Sequence, residues 1–136
     1  MEMLKEENKY QNLVSRKSLA EEIYKHVEDS LQLNQLIDIS DKTLVDIGSG
    51  AGFPGLILAI SHPDCKVTLV ESDRKKARFL NNVTHELQLS NVTIATERAE
   101  VLGHQEGFRE QFQLCTSRAV AALNVLLELS LPLLVV

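Results

Sequence analysis

The residues best suited to hold a ligand lie in positions 43–55, TLVDIGSGAGFPG, where Asp46 stands near the end of an apolar run and four glycines, Gly48, Gly50, Gly52 and Gly55, crowd into one turn. Glycine admits positive φ and lets the backbone approach a ligand with no Cβ in the way. Pro54 suits the first turn of a helix, where its missing N–H costs nothing. The spacing predicts a buried strand ending at Asp46–Ile47, a tight turn from Gly48, and a helix from Gly55. The N–H groups and positive dipole end of that helix would favour an anionic or electron-rich ligand group. The chemistry indicated is binding of a nucleotide-like cofactor.

Two patterns compete for these glycines. Gly50-x-Gly52-x-x-Gly55 matches the dinucleotide fingerprint, in which a pyrophosphate sits over the helix start. That reading would make the chain an NAD-binding oxidoreductase fragment. Asp46, however, precedes the turn, and a carboxylate repels a pyrophosphate. Asp46-x-Gly48-x-Gly50 instead resembles the first motif of class I S-adenosylmethionine-dependent methyltransferases, whose cofactor carries an amino group and a sulfonium.

Ligands of open parallel sheets bind beyond the carboxyl ends of the strands, so residues just after each strand carry the remaining chemistry. Glu71 closes the second predicted strand, where a carboxylate can accept both hydroxyls of an adenosine ribose. After the third come Arg98, Ala99 and Glu100, a small residue to flank an adenine ring and polar groups to read its edge. After the fourth comes Arg118, whose guanidinium could hold a carboxylate or an RNA phosphate, stack on a base, or form a salt bridge between elements. Cys115 sits in an apolar run and reads as a packed thiol rather than a nucleophile.

The elements that must position these residues follow from periodicity. Ser18-Leu19-Ala20-Glu21 is a capping box. Leu19, Ala20, Ile23, Tyr24, Val27 and Leu31 then recur at helical spacing, predicting a helix to about Leu31, with a second short helical turn within residues 33–39. From Thr43 the pattern alternates strands and helices, with strands expected at residues 44–47, 66–71, 92–95 and 112–116. This is an α/β, doubly wound parallel plan in one compact domain, with a helical segment at 1–42 and a Rossmann-like core at 43–136. His62-Pro63 stops the first core helix. Ser72 or Asp73 can cap the second, whose Ala77, Leu80, Val83 and Leu87 share one face.

Composition sets limits. The chain has 136 residues, 44% of them hydrophobic, enough for one domain with a core. No apolar run approaches the roughly 20 residues of a membrane span, and residues 1–10 do not read as a secretory signal. The two cysteines, Cys65 and Cys115, lack metal-ligand spacing and suit a reducing, cytoplasm-like compartment, an organelle stroma included; the four histidines are scattered and no metal site is indicated. A net charge of −5 argues mildly against wholesale nucleic-acid binding. A local patch remains at Arg74, Lys75, Lys76 and Arg78, for which a solvated helix face is the plainer reading.

Together these motifs resemble the RsmG (GidB) family of 16S ribosomal RNA guanine-N7 methyltransferases. The likeness includes Asn8, Asn12-Leu13, Lys25-His26 and Asp29-Ser30-Leu31. It continues through Asp46 to Gly55, Val67 to Ser72 with Arg78-Phe79-Leu80, Arg98-Ala99-Glu100, and Ser117-Arg118-Ala119-Val120. The resemblance implies that Gly48 and Phe53 contact S-adenosylmethionine, that Ala99 and Glu100 bracket its adenine, and that Arg118 lies at the cofactor and substrate site. Asp46, Gly50 and Glu71 complete the candidate cofactor-binding set.

Arg74, Lys75 and Lys76 become candidates for contacts with 16S ribosomal RNA or the small ribosomal subunit, the chain acting as a monomer. Guanine N7 is an exposed lone pair that needs no proton removed, so no catalytic residue is assigned. The same resemblance places the chain's end, residues 131–136, inside a fifth strand, with the family's later C-terminal strands missing. A non-catalytic remnant that still binds S-adenosylmethionine is the alternative this implies.

Overall fold

The computed structural model describes Met3, residues 19–117 and residues 122–136. A long first helix, α1 (Leu19–Leu36), leads into β1 (Thr43–Ile47), α2 (Gly55–Ser61), β2 (Lys66–Val70), α3 (Arg74–Glu86), β3 (Val92–Ala95), a short α4 (Ala99–Leu102), β4 (Leu114–Ser117) and α5 (Leu123–Ser130). The four strands form one sheet of order β3-β2-β1-β4, and every pairing is parallel. The doubly wound α/β plan is the observed architecture. Among the described residues no helix is long and apolar enough to cross a membrane.

Alternation along the strands divides the core. Leu44, Val67 and Leu69 pack with Ile23 of α1, Leu56 and Leu58 of α2, and Phe79, Leu80 and Val83 of α3. Val45, Ile47 and Val70 face the other way, against Ala99, Leu102, Phe112 and Leu133. A strand buried on both faces reads as a continuous apolar run, which is why residues 44–47 stand out in the sequence. Asp46 is the exception in that run, and it lies 1% exposed.

Helix ends follow local chemistry. α2 ends at Ser61, with His62 extended (φ −131°, ψ 82°), as the residue before Pro63 prefers. Asn91 then closes the turn into β2, its Nδ2 donating to the carbonyls of Ala59, His62 and Cys65 at 2.9 to 3.1 Å. Asp73 caps α3, its Oδ1 accepting from Lys75 N at 2.9 Å and Lys76 N at 3.1 Å.

Several boundaries differ from the sequence expectation: β1 starts one residue earlier, at Thr43, and β2 ends one residue earlier, at Val70. α1 runs through Leu36 as one helix, absorbing the separate turn expected at 33–39, because neither glycine nor proline interrupts residues 31–36. β4 begins at Leu114 rather than residue 112, since Phe112 pairs instead with Leu134. Residues 131–136 are not a strand throughout: Leu131–Leu133 form a 3₁₀ turn, and only Leu134 makes a parallel bridge. Pro132 is the reason, as it cannot donate to a ladder. Ser18 of the expected capping box lies outside the described residues.

Candidate cofactor and acceptor site

The turn leaving β1 is held by hydrogen bonds to the end of β2. Gly48 N and Ser49 N both donate to Val70 O, at 2.9 and 3.0 Å. Gly50 N donates to Glu71 Oε1 at 2.8 Å, and Gly52 N to Ser49 O at 2.7 Å. Leu56 N, in the first turn of α2, donates to Gly52 O at 2.7 Å. Four of the turn's N–H groups, those of Gly48, Ser49, Gly50 and Gly52, are therefore spent inside the protein. At this helix start Pro54 caps α2, Leu56 N is already taken by Gly52 O, and the carboxyl group of Asp46 lies against Gly55.

Two glycines show why no other residue serves. Gly48 has φ 68°, a left-handed conformation that a branched side chain strains to adopt. A Cβ on Gly55 would stand 2.6 Å from Leu69 Cδ2 and 2.7 Å from Asp46 Oδ2, so glycine there lets α2 settle on β1 and β2.

Asp46 and Glu71 are both buried carboxyl groups with different roles. Asp46 Oδ1 accepts from Thr116 Oγ1 at 2.8 Å, while Oδ2 lacks a hydrogen-bond partner. Burial pushes its carboxyl up to about 7, against the lowering influence of Thr116, Ser49 and Gly55. Glu71, 8% exposed, uses both oxygens: Oε1 accepts from Gly50 N, and Oε2 from Asp73 N at 2.9 Å. It thus braces the turn against the start of α3. Burial also pushes the Cys115 thiol up to about 12, with the Asp46 charge adding to it, so this cysteine is no thiolate at neutral pH.

An open cavity of about 170 Å³ lies beyond these strand ends, lined by Ile47, Gly48, Val70, Ser72, Glu97, Arg98, Ala99, Glu100 and Leu129. It brings together three of the expected cofactor residues, Gly48, Ala99 and Glu100. Arg98 Nε donates to Glu100 Oε1 at 2.6 Å on the cavity rim, an exposed pair of little worth to stability.

Phe53 lies elsewhere, on the far side of the turn, where its ring stacks on His26 of α1 with centroids 5.3 Å apart. It also lines an apolar cavity of about 540 Å³ with Val27, Leu56, Phe79 and others. Gly50 is half-buried in the turn. Arg118 lies outside the described residues. Arg74, Lys75 and Lys76 occupy the first turn of α3, at the same end of the sheet as the cavity.

Ser72 and Leu129, which also line the cavity, were not legible as site residues. Ser72 follows Glu71 directly, so its place after a strand was an available signal; Leu129 sits in an apolar helix and gave none. A second cleft, lined by Asp29, Ser30, Leu33, Pro54 and Ser117, opens beside the turn. Of these, Asp29 and Ser30 had entered only as matched family residues.

The family model for rRNA small subunit methyltransferase G (GidB) matches residues 1–136. The chain belongs to this family. Among its curated relatives is the ribosomal RNA small subunit methyltransferase G of Syntrophomonas wolfei, 50% identical over 98% of this chain and 62% of that protein. Another is that of Carboxydothermus hydrogenoformans, 47% identical over 97% of this chain and 56% of that protein. The chain thus spans about three fifths of the length of these relatives.

Solved structures give the same fold. P. horikoshii TYW2 in complex with MeSAdo superposes with a TM-score of 0.67 at 14% identity, covering 81% of this chain and 40% of that one. MtNAS in complex with S-adenosylmethionine gives 0.61 at 21% identity, covering 89% and 47%. These likenesses establish the class I methyltransferase fold for this chain.

Proposed function

We propose that this chain binds S-adenosylmethionine at the turn after β1 and directs its methyl group to N7 of a guanine in small-subunit (16S) ribosomal RNA. The observation that carries the reading is the family match over the whole described sheet, with the Asp46-x-Gly48-x-Gly50 turn at its centre. The turn suits this cofactor better than a dinucleotide: the N–H groups of Gly48, Ser49, Gly50 and Gly52 are taken by the protein itself, and two acidic side chains, Asp46 and Glu71, stand against the turn where a pyrophosphate would need donors.

When bound, S-adenosylmethionine supplies an electrophilic methyl group beside a sulfonium. Gly48 lets the ligand approach the backbone, and Ala99 and Glu100 border the cavity suited to its adenine. Asp46 and Glu71 contribute from beneath, Asp46 by shaping the end of β1 and Glu71 by holding Gly50 and Asp73 in place while offering its remaining lone pairs toward a ribose. Phe53 packs against His26 beside the turn, and Arg118 is assigned to the site by the family resemblance alone. Because guanine N7 attacks as a free lone pair, the residues need only position it. Orientation of this kind is worth up to roughly 7–11 kcal/mol.

Arg74, Lys75 and Lys76 form the RNA-facing patch. Three cations in the first turn of α3 oppose the helix dipole, and the Asp73 cap offsets them only in part. A cost of that sort is reasonable where phosphate is the intended neighbour.

Mapping N7-methylguanine in small-subunit ribosomal RNA from cells with and without the intact gene product tests the proposal. Loss of one N7-methylguanine on deletion is expected. An unchanged methylation map contradicts it.

A further inference from the structure

Asp46 carries more polar capacity than the fold uses. In the sheet it stands level with Leu69 of β2 and Thr116 of β4. Its Oδ1 accepts from Thr116 Oγ1, a bond that the amide oxygen of asparagine would serve as well, whereas Oδ2 is buried without a hydrogen-bond partner. That second oxygen lies under the start of α2, where a Cβ on Gly55 would stand 2.7 Å from it. A buried polar group left unsatisfied is costly, and more so once it is charged. Stability alone gives no reason for an acid there.

Its place beside the Gly48 cavity gives one. The next two residues, Ile47 and Gly48, line that cavity, and Asp46 stands behind them. A ligand in the cavity is separated from the carboxyl by this backbone, yet each feels the other's charge, since a dry interior screens poorly. The titratable groups around Asp46 offer it little relief. Glu71, at the end of β2, is an acid whose charge opposes its ionisation, and the Cys115 thiol of β4 is pushed up to about 12 and stays neutral. α2, Gly55–Ser61, contains no titratable side chain. On α1, His26 stacks on Phe53 and Asp29 borders Pro54, both with interactions of their own. Burial above all, with Glu71 adding to it, holds the Asp46 carboxyl up at about 7, so a positive charge arriving beyond the turn tips it toward ionisation.

S-adenosylmethionine carries a sulfonium and an ammonium against one carboxylate. Its demethylated product, S-adenosylhomocysteine, lacks one methyl and the sulfonium charge. We propose that Asp46 is a specificity-determining residue that reads this charge from behind the turn, releasing its proton to solvent when S-adenosylmethionine binds and keeping it when S-adenosylhomocysteine does. The donor's advantage over the product then grows as pH rises to about 7 and levels off above, where Asp46 is already ionised. This rests on the cofactor reading above, and names the residue through which spent cofactor is told from fresh.

Calorimetric titration of the chain with each ligand, in pairs of buffers that differ in ionisation enthalpy, counts the protons released. At pH 6.5 S-adenosylmethionine should release roughly half a proton or more beyond S-adenosylhomocysteine, and its affinity should rise roughly three- to fivefold from pH 6 to pH 7 while that of the product stays level. Asp46→Asn, which keeps an oxygen for Thr116 and cannot ionise, should remove both effects; titration of the ligands' own ammonium is common to the two chains. A purely structural Asp46 would leave the proton counts of the two ligands alike.

Equal proton counts on the unaltered chain overturn the assignment without recourse to any variant, as does an Asp46→Asn chain that keeps the difference. Binding of both ligands with equal counts leaves the cofactor reading standing. Binding of neither sinks that reading, and the role of Asp46 with it.

Discussion

Glu71 and Gly50 are joined by a 2.8 Å hydrogen bond from backbone to carboxylate, and the second oxygen of the same carboxylate holds Asp73 N at 2.9 Å. One buried acid therefore fixes both the turn after β1 and the entry to α3. The turn and the helix entry are coupled through it.

Glu71→Gln should weaken this brace. The amide offers one acceptor, and its NH₂ would face an N–H of Gly50 or Asp73. Leaving a buried donor unsatisfied costs about 1–3 kcal/mol, so urea denaturation should show a lower midpoint with an unchanged slope. S-adenosylmethionine affinity should fall with it. An unaltered midpoint would mean the two hydrogen bonds contribute nothing.

Asp46 makes stability depend on pH. Its carboxyl titrates at about 7 in the folded chain against an ordinary value of 3.8, chiefly because burial disfavours the charge. Folding thus favours the protonated acid: the stabilising contribution is complete below 3.8 and is lost as pH rises toward about 7. Asp46→Asn keeps a neutral acceptor for Thr116 at every pH. Thermal melts should show the variant gaining on the parent chain across that window, by at most about 4 kcal/mol. Parallel profiles would show that Asp46 does not titrate there.

Much of this was legible in the sequence, for reasons that differ by residue. The strands announced themselves because burial on both faces forces apolar runs such as Leu44-Val45 and Val67 to Val70. Gly48 was legible as a residue needing positive φ, and its φ of 68° shows it. The fate of the turn's donors was not legible, because Val70 O and Glu71 Oε1 reach them only through the register of β1 against β2. Phe53 was expected beside the cofactor, yet its ring contact with His26 comes from a helix distant in sequence. The apolar composition of residues 131–136 suggested a strand, and Pro132 outweighed it locally by favouring a 3₁₀ turn.

Lys75 and Lys76 offer a test of the RNA surface separate from the cofactor. Changing both to Glu should lower affinity for small-subunit ribosomal RNA across sequences and flatten its salt dependence, by roughly 0.7 in log–log slope for each lost single-strand phosphate contact. S-adenosylmethionine affinity should stay as it was. An unchanged slope would remove these lysines from the interface.

What the turn at Gly48 binds decides the function. Calorimetric titration of the chain with S-adenosylmethionine and, in parallel, with NAD should give saturable binding of the first and none of the second. Gly48→Val, forcing a branched residue to φ 68°, should abolish it in a chain that remains folded. Binding of NAD in preference to S-adenosylmethionine, or full affinity in Gly48→Val, would contradict it.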